Sequence, residues 1–320
     1  TDDDTQKEIE RLRDNYSEVY PHIRWDFFTY VWNDDFSYAR NLALAKATCD
    51  WIIMPDGHEI LRKDSIDPLC KILESSPEDV WLISPYIHMD LDDAEIPASV
   101  FPRPLMLRNH LGIKFENPVH NVMDCPDPFK RLAPELNFVH ENPRGHFDDR
   151  NPQRKDMNER VLKERVDKDP TDARSWFYLG NTLAFENDLD GAIEAYKKYL
   201  GLPGNPDERC QVHLTVASIH IQSGRYLEAR KCCFDAMEIR WDRGECYFFL
   251  GVSAQHLGFP REALHWYRLT STLTIPVSAF FLRGDVYTFL PWQGIMECAN
   301  MMDDYSTALD AAKKVLEYRP

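Results

Sequence analysis

The residues best suited to chemistry lie directly behind an apolar run. Trp51-Ile52-Ile53-Met54 leads through Pro55 into Asp56-Gly57-His58-Glu59. Asp56 and His58 stand at i and i+2 in a loop just past a buried strand, where the strand ends and solvent begins. A carboxylate and an imidazole so placed can ligate a hard or borderline divalent cation. The same tetrapeptide also reads as a polar turn that caps a helix, and a motif this short does not separate the two.

The elements that must position this turn follow from periodicity. Residues 5–16 read as a helix, 23–30 as a strand, 37–47 as an amphipathic helix through Leu42, Leu44 and Ala47, and 51–55 as a strand. A helix near 65–73 and a strand at 80–86 continue the series. Strands alternating with helices predict an α/β layer with a mostly parallel, Rossmann-like sheet, whose ligands gather at the carboxyl ends of strands. The Asp- and Pro-rich stretch 88–104 reads as a loop before apolar Leu105 to Leu107, and 143–156 as a linker. The predicted division is 1–150 and 151–320, in line with about two domains for 320 residues.

After that linker the sequence repeats. Ala192, Ala229, Ala263 and Ala308 fall in register at spacings of 37, 34 and 45, close to the roughly 34-residue helix-turn-helix period of tetratricopeptide repeats. Trp176, Leu179, Gly180, Leu183, Ala192 and Tyr196 fit the first unit; Leu250, Gly251, Ala263 and Tyr267 fit the third. The aromatics, Trp266 among them, are expected to pack helices, because each repeat buries its face only against its neighbours. About four repeats are predicted.

Composition bounds the function classes. With 37 Lys+Arg against 53 Asp+Glu the formal charge is −16, which opposes non-specific coating of nucleic acid. The longest apolar runs are strand-length, short of the ~18 residues a spanning helix needs, so no membrane association is expected. Eight scattered cysteines without a CxxC pair predict reduced, mostly buried thiols. Together with a start that does not look like a signal peptide, they point to a cytoplasmic setting.

The stretch Asp35-Phe36-Ser37-Tyr38-Ala39-Arg40-Asn41, followed by a helix, a strand and the Asp56 to Glu59 turn, resembles the family-2 glycosyltransferases of GT-A fold. Their motif reads D-F-S-x-A-R-N before an Asp-x-Asp-Glu turn. Asp56 matches the first acid, His58 replaces the second, and Glu59 follows as usual. An Asp-x-His form occurs in other GT-A transferases that bind manganese, and imidazole is a reasonable Mn²⁺ ligand. Thr1 to Thr5 looks like the tail of the family's nucleotide-binding turn, which places the first strand and most of the second upstream of Thr1. Leu107-Arg108-Asn109, Gly112 to His120, and Phe138-Val139-His140 resemble later family segments. The resemblance implies donor contacts from Asp4, Asp35, Arg40 and Arg108, and a third metal ligand from His140 or His120. Asn121 stands where inverting members carry a glutamate, and an amide is no general base. Physically, a guanidinium near a helix start such as Arg40 suits a diphosphate or a surface ion pair, and both histidines also read as hydrogen-bonded structural imidazoles.

The resemblance thus implies transfer of a sugar from a nucleotide sugar, a UDP-sugar foremost, to an acceptor hydroxyl with inversion. Asp56 and His58 would hold Mn²⁺ or Mg²⁺. The base that takes the acceptor proton is open among Asp90, Asp92, Asp93, Asp124 and Glu141, with Asp124 and Glu141 as the named candidates. Two other readings stand beside it: a viral-type transferase acting on a hydroxymethylated DNA base, and a non-catalytic repeat scaffold whose transferase region has degenerated, as His58 and Asn121 suggest. The acceptor is a protein, a glycan or a modified DNA base, and the repeats offer a surface for a protein partner or self-association.

Overall fold

The computed structural model describes residues 5–319 except 27, 57, 58, 92–94, 96, 126–130, 141–151, 277, 279 and 281, with backbone alone at 5, 90, 97–99, 140 and 152–156. By its contacts the chain divides into a unit of residues 1–35 and one of residues 36–320. The first contains helix α1 (Thr5–Tyr16) as predicted. The strand expected at 23–30 is not formed among its described residues. A strand exists only through a neighbour's ladder, and no described residue of this unit supplies one.

In the second unit, helix α2 (Phe36–Leu44), strands β1 (Trp51–Ile53) and β2 (Glu59–Leu61) and helix α3 (Ile66–Ser75) come first. Strands β3 (Leu82–Leu91), β4 (Pro97–Pro102), β5 (Met106–Arg108), β6 (Phe115–Glu116), β7 (Val122–Met123) and β8 (Arg131–His140) follow. The main sheet runs β1-β5-β3-β8-β2, with β4 also on β3; β6 and β7 form a separate hairpin. Alternation along the strands divides the core. Ile83, Ile87, Met106 and Phe138 face Leu69 and Ile72 of α3, whereas Leu82 and Leu107 face Phe115, Met123 and Leu44.

The α/β layer is therefore present, but the sheet is mixed. Only β3 with β8 is parallel, and β1·β5, β3·β5, β3·β4 and β2·β8 are antiparallel. This corrects the mostly parallel expectation. A parallel pair needs a crossover of about a dozen residues, and the connections from β3 to β4 and from β4 to β5 are far shorter. The predicted loop 88–104 is likewise corrected: β3 runs on to Leu91 and β4 occupies Pro97–Pro102. Of the prolines that suggested a loop, Pro97 and Pro102 stand at the two ends of β4 and Pro104 beyond it, and a strand's ends tolerate a missing N–H.

Helices α4 (Pro152–Lys168), α5 (Ala173–Phe185), α6 (Leu189–Leu200), α7 (Pro206–Gln222), α8 (Tyr226–Ile239), α9 (Gly244–His256), α10 (Pro260–Thr270), α11 (Leu290–Met301) and α12 (Tyr305–Tyr318) complete the chain. The last eight pair as four helical hairpins. All four register alanines are buried, each in the second helix of its hairpin. The small-residue positions work as expected. A Cβ on Gly180 would lie 2.5 Å from the Tyr196 ring, and one on Gly251 2.6 Å from the Tyr267 ring, so each glycine lets its partner helix close. Asp172, Asp188 and Asp304 accept N–H bonds at the starts of α5, α6 and α12, which satisfies donors that a helix start leaves unpaired.

The 45-residue spacing holds an insertion between α10 and α11. Leu282 there forms an antiparallel bridge to Val100 of β4, each N–H donating to the other's carbonyl at 2.9 and 3.0 Å. All eight cysteines are free thiols, four of them buried and two, Cys49 and Cys70, exposed. Among the described residues no helix is long and apolar enough to cross a membrane.

Candidate functional site

The site forms where β1 leaves the sheet. The Met54 N–H donates to the Leu105 carbonyl at 3.0 Å, the last hold on the strand. Beyond it the Asp56 N–H donates to Glu59 Oε2 at 2.7 Å, and the Glu59 N–H returns to the Asp56 carbonyl at 2.9 Å. The turn is thus closed by its own acid. Asp56 Oδ1 accepts from Arg40 Nη2 at 2.9 Å, and Oδ2 from Arg103 Nη1 at 2.9 Å. Arg103 also pairs with Glu59 and donates to the Met54 carbonyl at 3.4 Å. The Glu59 side chain is 1% exposed and that of Asp56 37%, so Asp56 is the carboxylate a ligand can reach and Glu59 the one that braces it.

Helix α2 delivers Arg40. The Asn41 amide exchanges two hydrogen bonds with the Phe115 backbone, Nδ2 to the carbonyl at 2.9 Å and Oδ1 from the N–H at 2.8 Å. The Phe36 N–H donates to the Pro118 carbonyl at 2.9 Å. These bonds pin the helix to the β6 hairpin, and Arg40 lies over the Phe115 ring at 5.1 Å with its guanidinium turned to Asp56. Burial lowers the Arg40 pKa, Arg103 lowers it further, and Asp56 and Glu59 oppose both. Two carboxylates and two guanidiniums balance, so the cluster forms without an uncompensated buried charge.

Arg103 and Glu59 are the cluster members that motif reading did not single out as site residues. The available signal is the tripeptide Pro102-Arg103-Pro104. A residue before proline is held extended and the flanking rings lack N–H groups, which suits an arginine fixed for a single task.

The other predicted residues are placed as follows. Arg108 pairs in register with Trp51, at the opposite end of β1 from Asp56. Its guanidinium donates to the carbonyls of Val80, Ser76 and Pro77 at 3.0 to 3.2 Å and lies 4.4 Å over the Trp51 ring. The structure uses it to close the end of α3 and does not bring it to the cluster. His120 is likewise engaged elsewhere: its ring stacks on Tyr178 of α5 at 4.0 Å, and its carbonyl accepts from Arg174. There it joins the hairpin region to the first repeat. The His140 backbone is the register partner of Glu59 on one side and of Met89 on the other, so β8 ends beside the turn. Asp124 is exposed after β7, its N–H on the Lys114 carbonyl at 2.8 Å. Asp35 closes the N-terminal unit, where its charge, after burial, raises the Tyr30 pKa. Asp4, His58, Asp92, Asp93 and Glu141 lie outside the described residues, and Asp90 is described by its backbone alone.

Among the described residues no three of His, Cys, Asp and Glu gather as a metal site. The donor chemistry nonetheless fits a hard cation shared with a ligand. Mg²⁺ and Mn²⁺ are commonly held by one or two carboxylates with phosphate oxygens and water completing the shell, and Asp56 offers one such carboxylate between two guanidiniums of the kind that fork onto phosphate.

Comparison with known proteins accords with both regions. Residues 1–130 match the family model described as glycosyl transferase family 2, and residues 173–206 match that of a tetratricopeptide repeat. A TPR repeat-containing protein of Synechococcus elongatus is 36% identical over 93 residues, covering 29% of this chain and 22% of its own length. The chain thus spans about a fifth of that relative. Among solved structures, the crystal structure of MamA has a TM-score of 0.43 at 18% identity, covering 54% of this chain and 92% of that one. MamA 41-end from Desulfovibrio magneticus RS-1 has a TM-score of 0.43 at 16% identity, covering 52% and 86%. Residues 1–130 are thus similar to family-2 glycosyltransferases, and residues 173–206 to a tetratricopeptide repeat.

Proposed function

We propose that the protein transfers a sugar from a nucleotide sugar, with a UDP-sugar as donor, to an acceptor hydroxyl with inversion, in the presence of Mn²⁺ or Mg²⁺. The observation that carries this reading is the Arg40–Asp56–Arg103–Glu59 cluster at the exit of β1, inside the segment matched to the transferase family. A bound divalent cation would neutralise charge on the departing diphosphate. Asp56 would hold it, with His58 and His140 as the proposed nitrogen ligands. Arg40 orients the diphosphate by charge-assisted hydrogen bonds. Asp35 and Asp4 belong to the donor side in this reading, and the acceptor proton passes to a carboxylate, Asp124 or Glu141. The repeats present a protein, as acceptor or partner, to the site, and the setting is cytoplasmic.

A thermal-shift screen of nucleotide sugars with and without Mn²⁺ tests the proposal, because a ligand that binds only the folded state raises Tm. One donor should stabilise the protein only with metal, and Asp56→Ala should abolish the shift and the release of nucleoside diphosphate. One feature favours the scaffold reading instead: both Asp56 oxygens already hold guanidinium protons. No shift with any donor would favour that alternative.

A further inference from the structure

The repeat region and the turn at Asp56 are connected by an unbroken series of bonds. On α9, Glu245 is buried and takes bonds from the Arg243 guanidinium, the Tyr287 hydroxyl and the Arg283 N–H, the last at 2.9 Å. That contact holds Arg283, which lies between α10 and α11. The residue before Arg283 is Leu282, fully buried and bonded through both backbone groups to Val100 of β4. Three residues beyond Val100 stands Arg103, whose own N–H donates to the Pro85 carbonyl at 3.0 Å and whose guanidinium holds Asp56, Glu59 and the Met54 carbonyl. Pro102 and Pro104 leave little slack on either side of it. A displacement of β4 therefore reaches the guanidinium rather than dissipating in a loop.

We propose that Arg103 is a positioning residue for the Asp56 turn and that the repeat insertion, through the Leu282 to Val100 bridge, sets where Arg103 stands. β4 is an edge strand along this stretch, and the two-bond bridge from the repeats covers its otherwise open side. Whatever shifts the repeats against one another at the α10 to α11 joint moves the edge strand and, with it, the fork that holds the two carboxylates. This extends the proposed transferase reading by assigning a regulator of its site, and it rests on that reading only for what the turn binds.

Hydrogen exchange on the full ligand-free chain tests the positioning without needing a substrate. Arg103→Lys keeps the charge but loses the fork, and should raise exchange at the Asp56 and Glu59 amides about tenfold. Leu282→Pro removes the N–H that bonds Val100 and should raise exchange at the same amides, about two- to thirtyfold, the range that coupling through packed contacts produces. In the double variant the effects should fail to multiply, because both act on one contact. Leu282→Ala keeps the N–H while emptying the buried side chain, and serves where the proline variant does not fold; it should act in the same direction. Unchanged exchange at Asp56 and Glu59 in a folded Leu282 variant, or multiplicative effects in the double variant, would overturn the proposal. In parallel, titration with UDP and Mn²⁺ should show both variants weakened, Arg103→Lys partly retaining affinity. If the unmodified protein binds no UDP with Mn²⁺, the transferase reading falls, and the exchange data still decide the role of Arg103.

Discussion

The helical repeats and the sheet that carries Asp56 hold themselves together over different ranges of sequence. Within a single repeat the side-chain bonds between its two helices are short-range: Tyr196 bonds Asn181 15 residues away, and Tyr267 bonds Gln255 12 away. In the site, Arg103 reaches Glu59 across 44 residues and Asp56 across 47. A repeat can therefore form wherever its own period is respected, whereas the site exists only once β1, β2 and the β4 to β5 connection have found their register. Damage should be structural in the first region and chemical in the second.

The largest effect should come from the Arg243–Glu245 ion pair, fully buried in the repeats. Glu245→Ala leaves Arg243, 1% exposed, without its carboxylate, and should destabilise by about 3–5 kcal/mol, read as a lowered denaturation midpoint. A loss below about 1 kcal/mol would show that the pair is not what holds the insertion. At the site the contrast reverses. Asp56→Ala should reduce turnover by about a hundredfold or more while the melting transition of the repeats stays in place. Equal losses of activity and stability would erase the distinction between the two regions.

A smaller effect sharpens the packing side. Gly180→Ala forces a methyl against the Tyr196 ring and should cost about 1–3 kcal/mol, visible as a lower Tm with the activity of the folded fraction unchanged. The smallest effect is one of pH. His88 in the sheet has its pKa lowered by burial and then by Arg62. His213 and His220 in α7 are lowered first by burial, with Arg209 and Arg225 adding to it. A base held neutral by the fold binds fewer protons folded than unfolded, so its contribution to stability is present above the ordinary histidine value of about 6.5 and is lost as pH falls below it. These rings therefore work to lower Tm between pH 7.5 and 5, and His213→Gln should remove its share of that effect. Identical pH profiles of Tm for the unmodified protein and His213→Gln would contradict the burial of that ring.

Much of the architecture was legible because its causes are local. The Ala192 position returns in all four hairpins, and Gly180 and Tyr196 return as Gly251 and Tyr267; a helix pair must bury whatever recurs on its inner face. The place of Asp56 at the exit of β1 was legible because a strand that ends in acids exposes them at its mouth. The 88–104 stretch misled because Asp and Pro usually mark loops; here Pro97 and Pro102 sit at the ends of an edge strand, where they cost no ladder bond. His120 and Arg108 illustrate the limit of motif matching. Each occupies its expected place in the sequence, but one stacks on Tyr178 and the other bonds the carbonyls of Ser76, Pro77 and Val80.

Amino-acid order by itself determined the four helical hairpins, the amphipathic α2 and the acidic turn behind β1, since helix periods, small-residue positions and strand ends depend on neighbours within a few tens of residues. Tertiary structure alone decided the strand directions, the pairing of Arg40 and Arg103 with Asp56, the sealing of Glu59 and the bridge from Leu282 to Val100. Those depend on which distant segments pair and in which register, and one residue of slip would turn every side chain to the other face.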